Sequence, residues 1–319
     1  MNKTMLSVAA VLAIGVGSAH AADLPAKVYT KAPPVVAFDP WDVAFGGAIM
    51  SDYVFRGITQ SNHKPSVTAY FEPRYNVTKD LQLYVGSSFE SISFTNRAAG
   101  EVDIYGGVRP TFGPVAFDFG VWGYLYPGGQ CIDTVTGGSA GLCGVNSGAS
   151  SIFNLNVMKK DVSFYEAYGK VNYTFNDTFS LGATAFYSPN FLNFGFESTY
   201  ASVVGKINVP PTWFGSTGIG AFVSGEFGRQ WLGTTDAFYG IPFGLSGVKL
   251  DDYNTWNVGI GFTYKVFTLD LRYSDTDMSK VNCQNITSDF SSNGTTSNWC
   301  GERFTAKLSA DVTLQSNIK

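Results

Sequence analysis

The chain of 319 residues has 14% charged residues and a formal net charge of −4 at pH 7, with 36 glycines, 26 phenylalanines and 17 tyrosines. This balance excludes the strongly basic surface that nucleic-acid binding uses, so no nucleic-acid partner is expected. Low charge with interleaved apolar and polar residues is typical of sheets that have one apolar and one polar face.

The N-terminus has the parts of a secretory signal peptide. Lys3 precedes an apolar run from Leu6 to Val16, and small residues follow up to Ala21. A segment of this kind is removed on export, and its apolar run is too short for a membrane-spanning helix. We therefore predict a signal peptide over residues 1–21 and a mature protein outside the cytoplasm.

Residues 22–40 are rich in proline and lack any alternation, which predicts a flexible periplasmic leader. The opening Ala22-Asp23-Leu24-Pro25 resembles the mature N-termini of several alphaproteobacterial outer-membrane proteins. In some of those families, the resemblance implies, the N-terminal residue can be joined to peptidoglycan, which here would be Ala22. A simple flexible tail is the alternative.

From Trp41 onward the chain alternates apolar and polar residues about a dozen times, most clearly from Glu302 to Leu314. Because no helical pattern is present to cover so many apolar faces, lipid is their simplest solvent. A sheet in lipid must close on itself, since open edges would leave backbone groups unpaired. The predicted fold is all-β, a single antiparallel transmembrane β-barrel of about 12 strands over residues 41–319, in the outer membrane of a Gram-negative bacterium.

The first predicted strand leads into the run Ser51-Asp52-Tyr53-Val54-Phe55-Arg56-Gly57-Ile58-Thr59-Gln60-Ser61. This run, near the start of an alternating chain with a signal peptide, resembles the TorF-type porin family of proteobacterial outer-membrane β-barrels. The resemblance implies a barrel with a transport role, and it indicates no particular substrate.

The connections between predicted strands differ in length. Barrels of this class have short periplasmic turns and longer external loops, and both cysteine-containing loops follow odd-numbered strands, as that arrangement requires. Strand 8, predicted from about Phe194 to Ile207, has the weakest alternation. The change of parity at Ile92 and Phe94 predicts either a bulge or the start of a loop near the end of strand 3. Short turns are predicted at Thr78–Asp80, Gly113-Pro114, Asn176–Thr178 and Lys265-Val266.

The four cysteines fall as two close pairs, Cys131 with Cys143 and Cys283 with Cys300, each within one predicted external loop. Export to an oxidising compartment favours one local disulfide in each loop, contributing about 3 kcal/mol by restricting the unfolded chain. A metal site is the disfavoured alternative, because neither loop contains a histidine.

Charged residues lie on the polar faces of the predicted strands. Facing lipid at the membrane midplane would cost each base a few kcal/mol, so we expect these side chains to face the lumen. A barrel of about twelve strands permits a narrow pore, in which mixed charges would form a constriction for polar solutes. The candidates are Glu72, Arg74, Asp103, Arg109, Asp118, Glu166, Lys170, Asp270, Arg272, Arg303 and Lys307.

These features predict a porin-like narrow channel for passive diffusion of small hydrophilic solutes, surrounded by outer-membrane lipid and lipopolysaccharide, without a cofactor or metal. The alternative is a closed structural barrel that links the outer membrane to peptidoglycan or acts as a surface interaction protein, since fully paired lumen charges would close a pore. An enzyme is not expected. A Ser/His hydrolase would depend on His63, the single histidine of the predicted mature chain, with Ser61 and Ser66 nearby.

Overall fold

The structure, a computed structural model, describes residues 39–134, 142–143 and 156–318. The predicted signal peptide and nearly all of the predicted leader lie outside these residues. Twelve antiparallel strands close into one barrel, as the alternation predicts. The strands are β1 (Trp41–Met50), β2 (Ser66–Thr78), β3 (Leu81–Glu90), β4 (Glu101–Phe112), β5 (Val115–Leu125), β6 (Phe164–Thr174), β7 (Phe179–Ser188), β8 (Ser198–Asn208), β9 (Ile219–Trp231), β10 (Tyr253–Tyr264), β11 (Phe267–Thr276) and β12 (Arg303–Thr313).

Each strand pairs with its neighbours along the chain, and β1 pairs with β12 to close the ring. The period-two alternation separates an apolar exterior from a polar interior. On β2, for example, Phe71 is 55% exposed whereas Glu72 is 4% exposed. Because the closed ring leaves no sheet edge and its outer face is apolar, the protein is a transmembrane β-barrel.

The two ends of the barrel differ in the length of their connections. Short turns at 79–80, 113–114, 175–178 and 265–266, with a longer turn at 209–218, occupy one end. The opposite end carries the longer loops, so we assign the first end to the periplasm and the second to the exterior. These external loops comprise residues 51–65, 91–100, 189–197, 232–252 and 277–302, together with the described residues between 126 and 163.

The structure corrects the predicted start of β8 and agrees with the predicted end of β3. β8 begins at Ser198 rather than near Phe194, because Phe191–Asn193 forms a short 3-10 turn and Phe194 is buried within the external loops. β3 ends at Glu90, so a loop begins at the change of parity near Ile92. The apolar residues at the predicted start of strand 8 therefore belong to a loop core and not to the lipid-facing surface.

The external loops pack together into an apolar core, which we call the loop cap. It includes buried side chains from all six of these loops, among them Ile58, Ala98, Val157, Phe194, Leu250 and Trp299. The loops and turns also contain helices α1 (Ala237–Gly240) and α2 (Lys280–Thr287) and the 3-10 turns Pro211–Trp213, Gly215–Thr217 and Ile241–Phe243, and a helical turn, Leu314–Ile318, follows β12. In the described part of the chain, no helix is long and apolar enough to cross a membrane.

Both disulfides form within single loops. Cys131 is bonded to Cys143 and Cys283 to Cys300, as the sequence predicts. The loops are nevertheless joined to one another, because their apolar side chains share one core. The loop cap is therefore one packed unit over the external mouth and not a set of separate loops.

Candidate functional site: the lumen and its plug

The first external loop contains a small hairpin, which we call the plug hairpin and define as residues 52–61. Its two strands are Val54–Phe55 and Ile58–Thr59. The turn residues Arg56 and Gly57 have positive φ values of 48° and 82°, as a two-residue type I′ turn requires. A Cβ added at Gly57 would lie 2.3 Å from Thr276 Cγ2, so the hairpin packs tightly against the barrel wall.

Arg56, at the tip of the plug hairpin, crosses the lumen to β6 and β9. Its Nη1 and Nη2 atoms donate to Glu166 Oε1 and Oε2 at 2.9 and 2.6 Å, and Nη1 also donates to Gln230 Oε1 at 3.0 Å. The guanidinium carbon lies 5.0 Å from the ring centre of Phe186 and 4.4 Å from that of Tyr200. Burial lowers the pKa of Arg56, but Glu166 raises it and the net shift is upward, so the guanidinium keeps its charge.

Two further residues attach the first loop to other walls of the barrel. The Tyr53 hydroxyl donates to Glu101 Oε1 on β4 at 2.7 Å. Asp52 accepts hydrogen bonds from Arg303 Nη1 on β12 at 3.2 Å and from Ser61 Oγ at 2.8 Å. The first loop is thus bonded to β4, β6, β9 and β12, which are distributed around the whole ring.

Beneath the plug hairpin the lumen contains a cavity of about 590 Å³. Residues 52–57 form its roof, and inward side chains from many strands form its walls. Of the residues that the sequence assigns to the lumen, Glu166 and Arg303 do not line this cavity, because they bind Arg56 and Asp52 of the first loop. The others line it: Glu72, Arg74, Asp103, Arg109, Asp118, Lys170, Asp270, Arg272 and Lys307.

One group of lumen charges forms a network along the wall. Arg109 Nη1 lies 2.8 Å from Glu72 Oε1, and Arg109 Nε lies 3.3 Å from Asp118 Oδ2. Arg74 Nε lies 2.6 Å from the same Glu72 oxygen. Glu72 and Arg74 lie on β2, Arg109 on β4 and Asp118 on β5, which are close to one another in the ring. The ion pairs therefore follow the wall and do not bridge the cavity.

The remaining wall charges are arranged differently. Arg272 Nη2 pairs with Asp270 Oδ2 on the same strand at 2.9 Å. Lys170 and Lys307 form no ion pair with any described residue. The Lys170 ammonium instead lies 4.7 Å from the ring centre of Tyr168. Both lysines are consequently available to a polar solute or to water in the cavity.

The geometry around His63 gives no support for a Ser/His nucleophile. His63 Nδ1 lies 3.4 Å from Asp52 Oδ2, and the Ser61 hydroxyl donates to the same carboxylate. Ser66 donates to the backbone oxygen of Ser91 at 2.7 Å. Within residues 39–134, 142–143 and 156–318, no serine is hydrogen-bonded to the His63 ring.

Sequence reasoning did not identify the residues of the plug. Arg56 and Tyr53 belong to the motif that resembles a porin family. Their positions in a short segment without alternation do not indicate that they contact the lumen wall. Gln230 is an uncharged residue on a strand face and carries no signal of its own. The available signal was the Arg56-Gly57 pair, because glycine after a charged residue between two short apolar runs is typical of a tight hairpin turn.

Comparisons with known proteins give one family match. Residues 36–152 match the model of the Gcw_chp family, which is described as a bacterial protein of unknown function. The matching segment includes the plug hairpin, but it covers only a little over a third of the chain. It does not confirm the resemblance to TorF-type porins, which stays a prediction. A search of curated proteins found no match.

Several solved structures are remotely similar to the barrel. The COG4313 outer membrane channel from Pseudomonas putida F1 shares 12% identity at a TM-score of 0.44, over 89% of this chain and 100% of that one. LpxR from Salmonella typhimurium shares 12% identity at a TM-score of 0.40, over 85% of this chain and 99% of that one. The toluene transporter TodX from Pseudomonas putida shares 10% identity at a TM-score of 0.41, over 87% of this chain and 89% of that one. All three TM-scores are below 0.5, so these likenesses indicate no function for this chain.

The barrel itself determines where the protein resides. It has twelve antiparallel strands, an apolar outer face, short turns at one end and long loops at the other. This is the architecture of outer-membrane β-barrels of Gram-negative bacteria. The protein is therefore an outer-membrane β-barrel, as the sequence predicts.

Proposed function

We propose that the protein is an outer-membrane channel for small hydrophilic solutes, and that the plug hairpin and the loop cap close its external mouth in this conformation. The observation that supports this proposal most strongly is the charged cavity of about 590 Å³ inside the barrel. Buried charges are costly, and a lumen that only had to be filled could be packed with apolar side chains. A hydrated passage for polar solutes explains why charged side chains line this space.

The arrangement of the charges supports the same proposal. The network around Glu72 and the Arg272–Asp270 pair lie along the walls, so their pairing leaves space between opposite walls. Toward the periplasmic end, the inward side chains of Asn172 and Lys206 are partly exposed, in agreement with a lumen that is wet on that side. The barrier to diffusion then lies at the external mouth.

The construction of the plug hairpin is suited to movement. Its two short strands form a separate sheet that shares no ladder with the barrel strands. Displacement would break side-chain bonds, such as those of Arg56 and Tyr53, and the backbone bonds of Thr59 and Gln60 to other loops, while the hydrogen-bonded ring stayed intact. A loop of this kind can open a barrel without unfolding it.

Proteoliposome swelling tests the proposal. We expect liposomes containing the Arg56→Ala variant to swell faster than wild-type liposomes in small sugars or amino acids, and to show no difference in large oligosaccharides. The matched control is Arg229→Ala, because Arg229 forms an exposed pair with Asp252 outside the plug hairpin. Equal, leak-level swelling for folded wild type and Arg56→Ala would refute a solute channel.

A closed structural barrel is the second candidate, and the loop cap favours it. The apolar core over the mouth and the bonds from the first loop to four strands would serve a barrel that never opens. Such a barrel could link the outer membrane to peptidoglycan through Ala22, which lies outside the described residues. Digestion of purified peptidoglycan should then release peptides with a muropeptide mass on Ala22, and their absence would remove this role.

A further inference from the structure

Three carboxylates meet on the lumen side at the external ends of β3 and β4. Glu90 and Glu101 are direct partners in the antiparallel ladder, and Asp103 follows two residues later on the same face of β4. One oxygen of each lies within 4.8 Å of the others. The three residues are 8%, 2% and 3% exposed, in that order.

The three carboxylates lack a basic partner in the described part of the chain. Like charges directly opposite each other in a ladder are destabilising, and buried carboxylates are normally paired. No lysine, arginine or histidine among the described residues forms an ion pair with Glu90, Glu101 or Asp103. Lys307 attracts Glu90 only from beyond ion-pair distance. A cation from solution would remove the repulsion.

Asp103 provides a second, independent observation. Its Oδ2 atom accepts a hydrogen bond from Ser88 Oγ at 3.0 Å, but its Oδ1 atom is buried and has no hydrogen-bond partner. The indole N–H of Trp122 interacts with this carboxylate but completes no hydrogen bond of ordinary length and angle with it. Such unsatisfied atoms are rare in folded proteins and call for a bound water, a ligand or an ion. Oδ1 of Asp103 therefore has room for a further interaction.

We propose that Glu90, Glu101 and Asp103 bind one divalent cation of the Ca²⁺ class. All three ligands are oxygens, which hard cations prefer, whereas Zn²⁺ favours nitrogen and sulfur. Three carboxylates binding through one or two oxygens each, completed by water from the lumen, reach the six to eight oxygens that Ca²⁺ takes. Glu90 and Asp103 line the cavity, which gives the ion an entry path. The sequence, in contrast, predicts a protein without a metal site.

The proposed site also contacts the plug. Glu101 accepts hydrogen bonds from the hydroxyls of Tyr53 at 2.7 Å and Tyr126 at 2.8 Å, one from the plug hairpin and one from the third external loop. A bound cation would fix the Glu101 carboxylate in the position that these hydroxyls require. The site does not depend on whether the lumen conducts solutes.

Calorimetric titration of CaCl₂ tests the site. The sample is the full chain in neutral detergent, stripped with EDTA and freed of lipopolysaccharide, which itself binds Ca²⁺. We expect one saturable site whose affinity falls about tenfold or more in Asp103→Asn, since disturbing even the groups around a metal has effects of that order. The matched control is Glu226→Gln, a lumen acid bonded to Tyr200 and Asn257 outside the cluster, which should bind like wild type.

No CaCl₂ binding by folded wild type, or equal binding by wild type and Asp103→Asn, would overturn the proposal. Heat-modifiable migration on gels checks the fold of each variant, and Glu90→Gln replaces Asp103→Asn if the latter does not fold. Terbium luminescence on wild type gives a measurement that needs no variant. Tb³⁺ in the site should be sensitised by Tyr53 and Tyr126 and displaced by Ca²⁺, and emission that Ca²⁺ does not reduce would also overturn the proposal.

Discussion

Arg56 and Glu166 form a bidentate ion pair across the lumen, although 110 residues separate them in the chain. Arg56 belongs to the loop after β1, and β6, which carries Glu166, is five strands away around the ring. The two side chains are only 5% and 1% exposed. Removing one partner of a buried pair leaves an uncompensated charge, so the position of the plug hairpin depends on this contact.

Glu166→Gln should therefore release the plug hairpin. Glutamine keeps the size of the side chain but leaves the Arg56 guanidinium buried without a counter-ion, at a cost of about 3–5 kcal/mol if the hairpin stayed in place. We expect trypsin to cleave after Arg56 in the folded variant and not in wild type, as mass spectrometry would show. Glu197→Gln, at an exposed carboxylate bonded to Tyr187, is the control and should stay resistant. Protection of Arg56 in Glu166→Gln would contradict this role of the pair.

Gly57→Ala should displace the same hairpin by a steric route. The added Cβ would lie 2.3 Å from Thr276 Cγ2 and 2.6 Å from Thr255 Oγ1, in addition to the strain of a positive φ. Gly113→Ala is a matched control, because Gly113 also has positive φ but has nothing within 4 Å of the new Cβ. We expect Gly113→Ala to cost only about 1–2 kcal/mol of backbone strain and to leave the hairpin protected. Equal protease sensitivity in the two variants would show that the contact with the wall is unimportant.

Arg272→Ala and Arg303→Ala should have different effects on ion flow. Arg272 lines the cavity with a quarter of its side chain exposed, so its loss leaves Asp270 unpaired and should shift the reversal potential toward cation preference. Arg303 is covered by the first loop, to whose Asp52 it donates, and it also donates to the backbone oxygen of Gly301 in the last loop. Its loss should raise opening frequency and leave ion preference unchanged. Identical effects of the two variants in salt-gradient recordings would contradict the assignment.

The two disulfides should differ in their importance for the loop cap. Chain entropy gives similar contributions for separations of 12 and 17 residues, about 3 kcal/mol each. Cys283 and Cys300, however, are buried in the apolar core, whereas Cys131 and Cys143 are partly exposed. Replacing the buried pair by serine should therefore expose the loop cap to proteolysis more than replacing the other pair. The reverse order would show that the core does not hold the loops together.

The barrel was predictable because lipid imposes one rule on every strand. Side chains that face lipid are apolar, and those that alternate with them are polar. The alternation ending at Leu314 therefore predicts both the barrel fold and the placement of charged side chains in the lumen. The strand boundary near Phe194 was wrong because an aromatic side chain buried in the loop cap has the same character as one facing lipid. Composition alone does not distinguish these two apolar environments.

The plug and the acid cluster were not predictable from local pattern. Arg56 meets Glu166 and Gln230 only because a short loop folds into the lumen, and these contacts span 110 and 174 residues. Asp103 was assigned to the lumen, but its approach to Glu90 depends on the β3–β4 register. A single sequence specifies which residues face inward and does not specify which of them meet.

Single-channel recording in planar bilayers tests most directly whether the lumen is a passage that the plug hairpin closes. We expect wild type to remain closed for most of the time with rare, small current steps, and Arg56→Ala to open far more often. Arg229→Ala, which breaks contacts with Asp252 and Asn254 and none with the plug hairpin, should behave like wild type. Arg56→Ala protein that is correctly folded and inserted but electrically silent would contradict the channel and favour a closed structural barrel.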